Sequence, residues 1–178
     1  AYKKAGNDFK AAETYELQYT LYPDSCNLNN LGVLYHNAGV YSKAVEFYEL
    51  AIEKSPRSHI TLSNLGHTNM LMGNYQKAEE CLKKAHEIAP YHGITLIKLA
   101  ELEEKQGKRT DAKQHKEEAY DILKKQWKKN TLDKVELGWF SSLASELGHR
   151  DVYQQIKSST SNSHADGLYN NDNLAKSI

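Results

Sequence analysis

From residue 28 onward, leucine and tyrosine recur three and four positions apart. Leu28, Leu31 and Tyr35 form one run; Val45, Tyr48 and Ile52 form another, with Ala44 and Ala51 interleaved. That spacing sets apolar side chains on one helical face. The first run predicts a helix ending near Asn37-Ala38-Gly39, where glycine takes the left-handed backbone that closes a helix. The second predicts a helix over about Ser42–Lys54, with Ala44 and Ala51 small enough to let two helix backbones approach closely. Pro56 cannot continue a helix and marks a turn. Ser25 and Ser58 are suited to cap the helices that follow.

The pattern then repeats. Leu28, Leu31, Gly32, Gly39, Tyr41, Ala44, Ala51 and Pro56 are matched by Leu62, Leu65, Gly66, Gly73, Tyr75, Ala78, Ala85 and Pro90, each 34 residues later. Eight identities at one offset mark an internal repeat of two-helix units. The spacing Leu28-x2-Leu31-Gly32-x2-Tyr35, Ala44-x3-Tyr48, Pro56 resembles the tetratricopeptide repeat family, whose pattern is W-x2-L-G-x2-Y, A-x3-F, P. Leucine replaces the opening tryptophan in both units, and the second unit carries Asn69 and Leu82 at its aromatic positions.

The resemblance extends in both directions. Tyr2, Gly6, Ala11, Tyr15 and Pro23 fit the later part of a preceding unit. The absent initiator methionine agrees with a chain whose earlier residues are missing. Leu96, Leu99, Ala100, Gly107, Ala112 and Ala119 mark a third full unit, with Glu103 and Lys116 at the aromatic positions and a long second helix over about Asp111–Lys129. Thr131 is expected to cap a helix through Leu147, with Leu132, Val135, Trp139, Leu143 and Leu147 inward. Gly148 stops it, and Asp151–Ile156 form a short last helix. The reading is an all-α fold, a right-handed α-solenoid of stacked helix-turn-helix units with a C-terminal helical cap, which solenoids need to cover their last apolar face. Its parts are 1–24 (second half of a truncated unit), 25–58, 59–92, 93–129 (degenerate), 130–157 (cap) and 158–178 (polar tail).

Charge narrows the function. Over 178 residues, 23 basic and 23 acidic side chains give zero formal charge, which disfavours broad phosphate neutralisation and hence a nucleic-acid partner. No run of 18 apolar residues offers a membrane span. The opening AYKKAGNDFK lacks the apolar stretch of a signal peptide, and with only two cysteines the expected compartment is the cytoplasm.

Catalytic signatures are missing too. Gly107-Lys108-Arg109-Thr110 has neither the upstream glycine nor the Lys-Ser/Thr pair of a phosphate loop. His86-Glu87 has Pro90 where a zinc-protease helix needs its second histidine. His59 and His67 stand eight apart on one helix, about 12 Å by rise, too far for one metal. Cys81 reads as a buried thiol. The expectation is no enzyme activity, no metal and no cofactor.

The resemblance implies that the first helix of each unit lines a concave groove for a peptide or partner protein. The groove candidates are Asn29, Asn30, Val33, His36 and Asn37; then Ser63, Asn64, His67, Met70 and Leu71; then Ile97, Lys98, Glu101 and Lys105. Asn30 and Asn64 occupy equivalent sites, and an amide offers both donors and an acceptor to a peptide backbone. Helices packed about 8–10 Å apart, against an extended rise of about 3.3 Å per residue, put one asparagine near roughly every third peptide residue. Lys98 breaks that ladder. Family members that clamp a C-terminal carboxylate carry Lys and Asn, then Asn, then Lys and Arg. The corresponding positions here are Asn29, Val33, Asn64, Ile94 and Lys98, so that clamp is disfavoured. Lys124, Lys125, Lys128 and Lys129 around Trp127 read as a solvated face with the indole packed on the cap. The function expected is a non-catalytic scaffold binding an extended segment. The alternatives are self-association, through array ends or through Leu168, Tyr169, Leu174 and Ile178 of the tail, and substrate selection for an enzyme or chaperone elsewhere on a longer chain.

Overall fold

The computed structural model describes residues 14, 20 and 24–166, with side chains through 158. The preceding half-unit, including Tyr2, Gly6, Ala11, Tyr15 and Pro23, and the tail anchors Leu168, Tyr169, Leu174 and Ile178 lie outside these residues. Among the described residues there are eight helices of 13 residues or more within 24–166: α1 Ser25–Asn37, α2 Tyr41–Lys54, α3 His59–Leu71, α4 Tyr75–Ile88, α5 Gly93–Lys105, α6 Arg109–Lys128, α7 Lys134–Glu146 and α8 Arg150–Asp166. The fold is an all-α helical-repeat solenoid, as the 34-residue period implies. The chain divides into two compact units, parting between His115 and Lys116 inside α6.

In the first unit, each repeat is a helical hairpin closed by a left-handed glycine. Gly39, Gly73 and Gly107 have φ of 79°, 81° and 79°. At the first hairpin, the Gly39 and Val40 amides donate to the carbonyls of His36 and Tyr35 at 3.0 and 2.9 Å, satisfying the end of α1. Leu28, Leu31 and Tyr35 of α1 and Ala44, Tyr48 and Ala51 of α2 are all at most 1% exposed. The equivalent core of the next hairpin is Leu62, Leu65, Ala78, Leu82 and Ala85. Leu65 also joins the cluster of Leu31, Tyr35, Ala44 and Tyr48, so one hydrophobic core runs from repeat to repeat.

Two glycines set how closely the paired helices lie. A β-carbon on Gly32 would meet the Tyr48 ring, and one on Gly66 would meet Leu82 Cγ at 2.7 Å and the Ala78 carbonyl at 3.1 Å. Asn69, at the position where the first repeat has Tyr35, is 1% exposed. Its amide donates to the Leu65 carbonyl at 2.9 Å and its oxygen accepts from Asn74 at 3.4 Å, so this polar substitution leaves no orphaned group.

The helix starts differ in part from expectation. Asp24, not Ser25, caps α1 by accepting from the Asn27 amide at 2.7 Å. Ser58 caps α3 as expected, accepting from Thr61 N.

The second unit comprises the later turns of α6 with α7 and α8. Its core is Ala119, Tyr120, Leu123, Phe140, Leu143, Ala144, Val152 and Ile156, each at most 5% exposed. The Tyr120 ring stacks on His149 with centroids 4.0 Å apart, and Trp127 lies against Phe140 at 5.8 Å. Buried Lys116 reaches Glu146. Three sequence expectations are corrected here. Thr131 does not cap α7; its hydroxyl donates back to the Gln126 carbonyl, and Asp133 forms a capping box with Glu136. Val135, expected inward, is 68% exposed, because five residues before Phe140 it stands about 140° around the helix from the core face that Phe140 occupies. The last helix runs to Asp166, ten residues past Ile156, since nothing between Lys157 and Asp166 is proline or glycine.

Candidate functional site

α1, α3 and α5, the first helices of three successive repeats, share one face of the first unit. A polar relay crosses it. Lys98 Nζ on α5 donates to Asn64 Oδ1 on α3 at 3.0 Å. Asn64 Nδ2 in turn donates to Asn29 Oδ1 on α1 at 3.4 Å. Helical packing thus brings the second repeat's asparagine to Asn29, one position before its 34-residue counterpart Asn30, which is exposed.

A second relay runs beside the first. The Thr68 hydroxyl donates to the Asn64 carbonyl at 2.8 Å. Its single proton is committed there, so His36 Nδ1, 2.8 Å from the same oxygen, must be the N–H partner. Neutral His36 then presents Nε2 as an acceptor. The His36 and His67 rings lie 5.3 Å apart, and His67 Nε2 lies 3.6 Å from Glu101 Oε2, beyond hydrogen-bond range.

Burial governs the charges. It is the first cause holding His67 down to about 3, ahead of the Lys98, His36 and Lys105 charges, so His67 is neutral at pH 7 and its contact with Glu101 is not an ion pair. Burial and then Lys98 also lower His36. Lys98 itself is pushed down to about 8 by burial, against the opposing pull of Glu101. At the start of α5, His92 Nδ1 bonds the Thr95 hydroxyl at 2.7 Å and its ring meets His59 edge-on; burial, then His59 and Lys98, lower it to about 4.

The remaining candidates separate by access. Asn37 and Leu71 are exposed, Leu71 at 41%. Asn29, His67 and Glu101 are half-buried, as is Val33, which packs on the core. Ser63 and Ile97 are buried, and Met70 is 2% exposed, so its thioether closes the core. Thr68 and Glu104 escaped the sequence reading. Thr68 was findable as a threonine four residues after Asn64, the spacing at which a helical hydroxyl back-bonds to a carbonyl. Among the described residues, no three His, Cys, Asp or Glu side chains are placed to hold a metal, and no helix is long and apolar enough to cross a membrane.

Two tetratricopeptide repeat models match the chain, over residues 28–59 and 57–125, together more than half of the 178 residues. No curated protein matches it. Among solved structures it is similar to the crystal structure of MamA, with a TM-score of 0.60 and 18% identity over 92% of this chain and 93% of that one. A second structure, MamA MSR-1 C2, gives a TM-score of 0.58 and 22% identity over 70% and 72%. At such identities the likeness is one of fold.

Proposed function

The chain belongs to the tetratricopeptide repeat family, typically non-catalytic protein-interaction scaffolds, and from that premise we propose that the face shared by α1, α3 and α5 holds an extended peptide or partner segment. The observation that carries this reading is the relay through Asn64. A carboxamide has two N–H donors and two lone pairs. Asn64 commits one of each, to Asn29 and from Lys98, which leaves one donor and one acceptor. That is the pair an extended backbone offers in return, and the two existing bonds hold the amide in place before any partner arrives, which lowers the ordering cost of binding. Asn30 and Asn37, exposed on α1, extend the polar surface. The compartment we infer is the cytosol, in keeping with the free thiols of exposed Cys26 and half-buried Cys81.

Capture from native lysate tests the reading, with the chain and an Asn30/Asn64→Ala double variant compared by mass spectrometry. A partner lost with the variant, whose segment then protects α1, α3 and α5 amides from hydrogen exchange, is the expected result. An unchanged partner set, or protection confined to α2 and α4, refutes it.

A further inference from the structure

A cavity of about 550 Å³ opens between α3 and α5, bounded by His67, Met70 and Leu71 on one side and Glu101, Glu104 and Lys105 on the other. Its size is in the range of small-ligand sites, ample for one long side chain. Glu101 and Glu104 are three residues apart on α5, so both carboxylates stand on the same wall. The opposite wall is apolar and aromatic. Leu71 offers 41% of its surface, and the His67 ring is uncharged at neutral pH. Behind His67 stands His36, with its Nε2 fixed as an acceptor by the Thr68 relay. Two cations are near. Lys98 is 5% exposed and committed to Asn64. Lys105 is exposed and lines the same cavity, four residues after Glu101.

This lining is rich in acceptors and offers a flat ring and an apolar shelf. The side chain that complements it has donors only, a plane and a hydrocarbon stem, which describes arginine. We propose that this cavity receives an arginine from an extended partner segment, its guanidinium against Glu101 and Glu104 and across the His67 ring, its methylenes along Leu71. The proposal rests on the groove reading above and adds the chemistry of what the groove selects. Lysine would keep the charge and lose the planar, forked contact. A carboxylate or phosphate would meet two like charges.

A library of immobilised nonapeptides, N-acetylated and C-amidated, is probed with the purified full chain. Binders are resynthesised with arginine replaced by lysine, citrulline or glutamate, and their affinities read by fluorescence anisotropy. Binders should carry arginine at a fixed position, and citrulline there should weaken binding about tenfold or more, since charge-assisted hydrogen bonds are about twice as strong as neutral ones. In a Glu101/Glu104→Gln variant, the arginine and citrulline peptides should bind alike, and the retained citrulline affinity shows the groove intact. Binders that protect α1, α3 and α5 amides but tolerate citrulline or glutamate overturn the arginine assignment and leave the groove reading standing. No binder at all, or binders that protect none of those amides, overturns both.

Discussion

Gly32 and Gly138 should respond to the same substitution with opposite signs. Both lie inside helices, so alanine at either removes the backbone-entropy penalty of helical glycine, about 1 kcal/mol in favour of the variant. At Gly138 a β-carbon meets nothing within 4 Å, so that gain stands alone. At Gly32 the added carbon would come to 2.9 Å or closer to three ring carbons of Tyr48, which is 1% exposed and walled in by the core that links the first two repeats. Overpacking a close-fitted core costs about 1–3 kcal/mol. With a buried aromatic ring as the obstacle, the upper half of that range applies, so Gly32→Ala should lose about 1–2 kcal/mol net. For a unit of this size that is a fall in Tm of roughly 4–8 °C per kcal/mol. Urea denaturation of the two variants, followed by circular dichroism, measures both signs. Adding Tyr48→Leu to Gly32→Ala should cost less than the two changes summed, because the second change removes the ring carbons that the added β-carbon would meet. A Gly32→Ala chain as stable as the parent, or strict additivity of the pair, would refute the close-approach argument.

Acid should weaken the first unit before carboxylates titrate. The His67 pKa of about 3 lies below its unfolded value, so the unfolded state binds more protons and stability falls as pH drops from 6.5 toward 3; above 6.5 the contribution is complete. Each pH unit in that window is worth roughly 1.4 kcal/mol at this one site. Denaturation at pH 7 and pH 5 should show a loss that His67→Phe reduces, and equal pH sensitivity in the variant would rule the histidine out as its source. Asn64→Ala should cost about 1–3 kcal/mol by leaving buried Lys98 without its acceptor. Lys98→Met should be neutral or stabilising, because removing a buried ammonium together with its desolvation is seldom harmful; the pair tested by denaturation, with both variants equally destabilised, would contradict the relay. Asp133→Ala should lose about 1 kcal/mol from α7, seen as faster amide exchange in its first turns, and Thr131→Ala should lose less.

The repeat was legible because its constraints are local and recur at a fixed offset. Leu28, Leu31, Ala44 and Ala51 announce buried positions by spacing alone, and Gly39, Gly73 and Gly107 announce turns. The site was less legible because alignment by offset identifies equivalent positions, whereas contact pairs neighbours. Asn64 is equivalent to Asn30 and touches Asn29. The histidine pair depends on Thr68, whose role is set by a backbone carbonyl that no side-chain pattern reveals. At α7 the error was one of competition. Thr131 and Asp133 are both capping residues, and Asp133 prevailed because Glu136 answers it from three positions later. Val135 faces solvent and Phe140 the core, a consequence of phase that apolarity alone cannot assign.

The hairpin glycines carry one more consequence. Gly148, between α7 and α8, has φ of 80°, within two degrees of Gly39, Gly73 and Gly107, although that last pair of helices has none of the repeat's alanine and proline marks. A packing position accepts several answers, since leucine, tyrosine or a paired asparagine can each fill it. A backbone in the left-handed region accepts very few. In a chain whose repeats have drifted apart, the joints therefore retain the period longer than the faces do, and a search for further repeats of this kind should count glycines before it counts leucines.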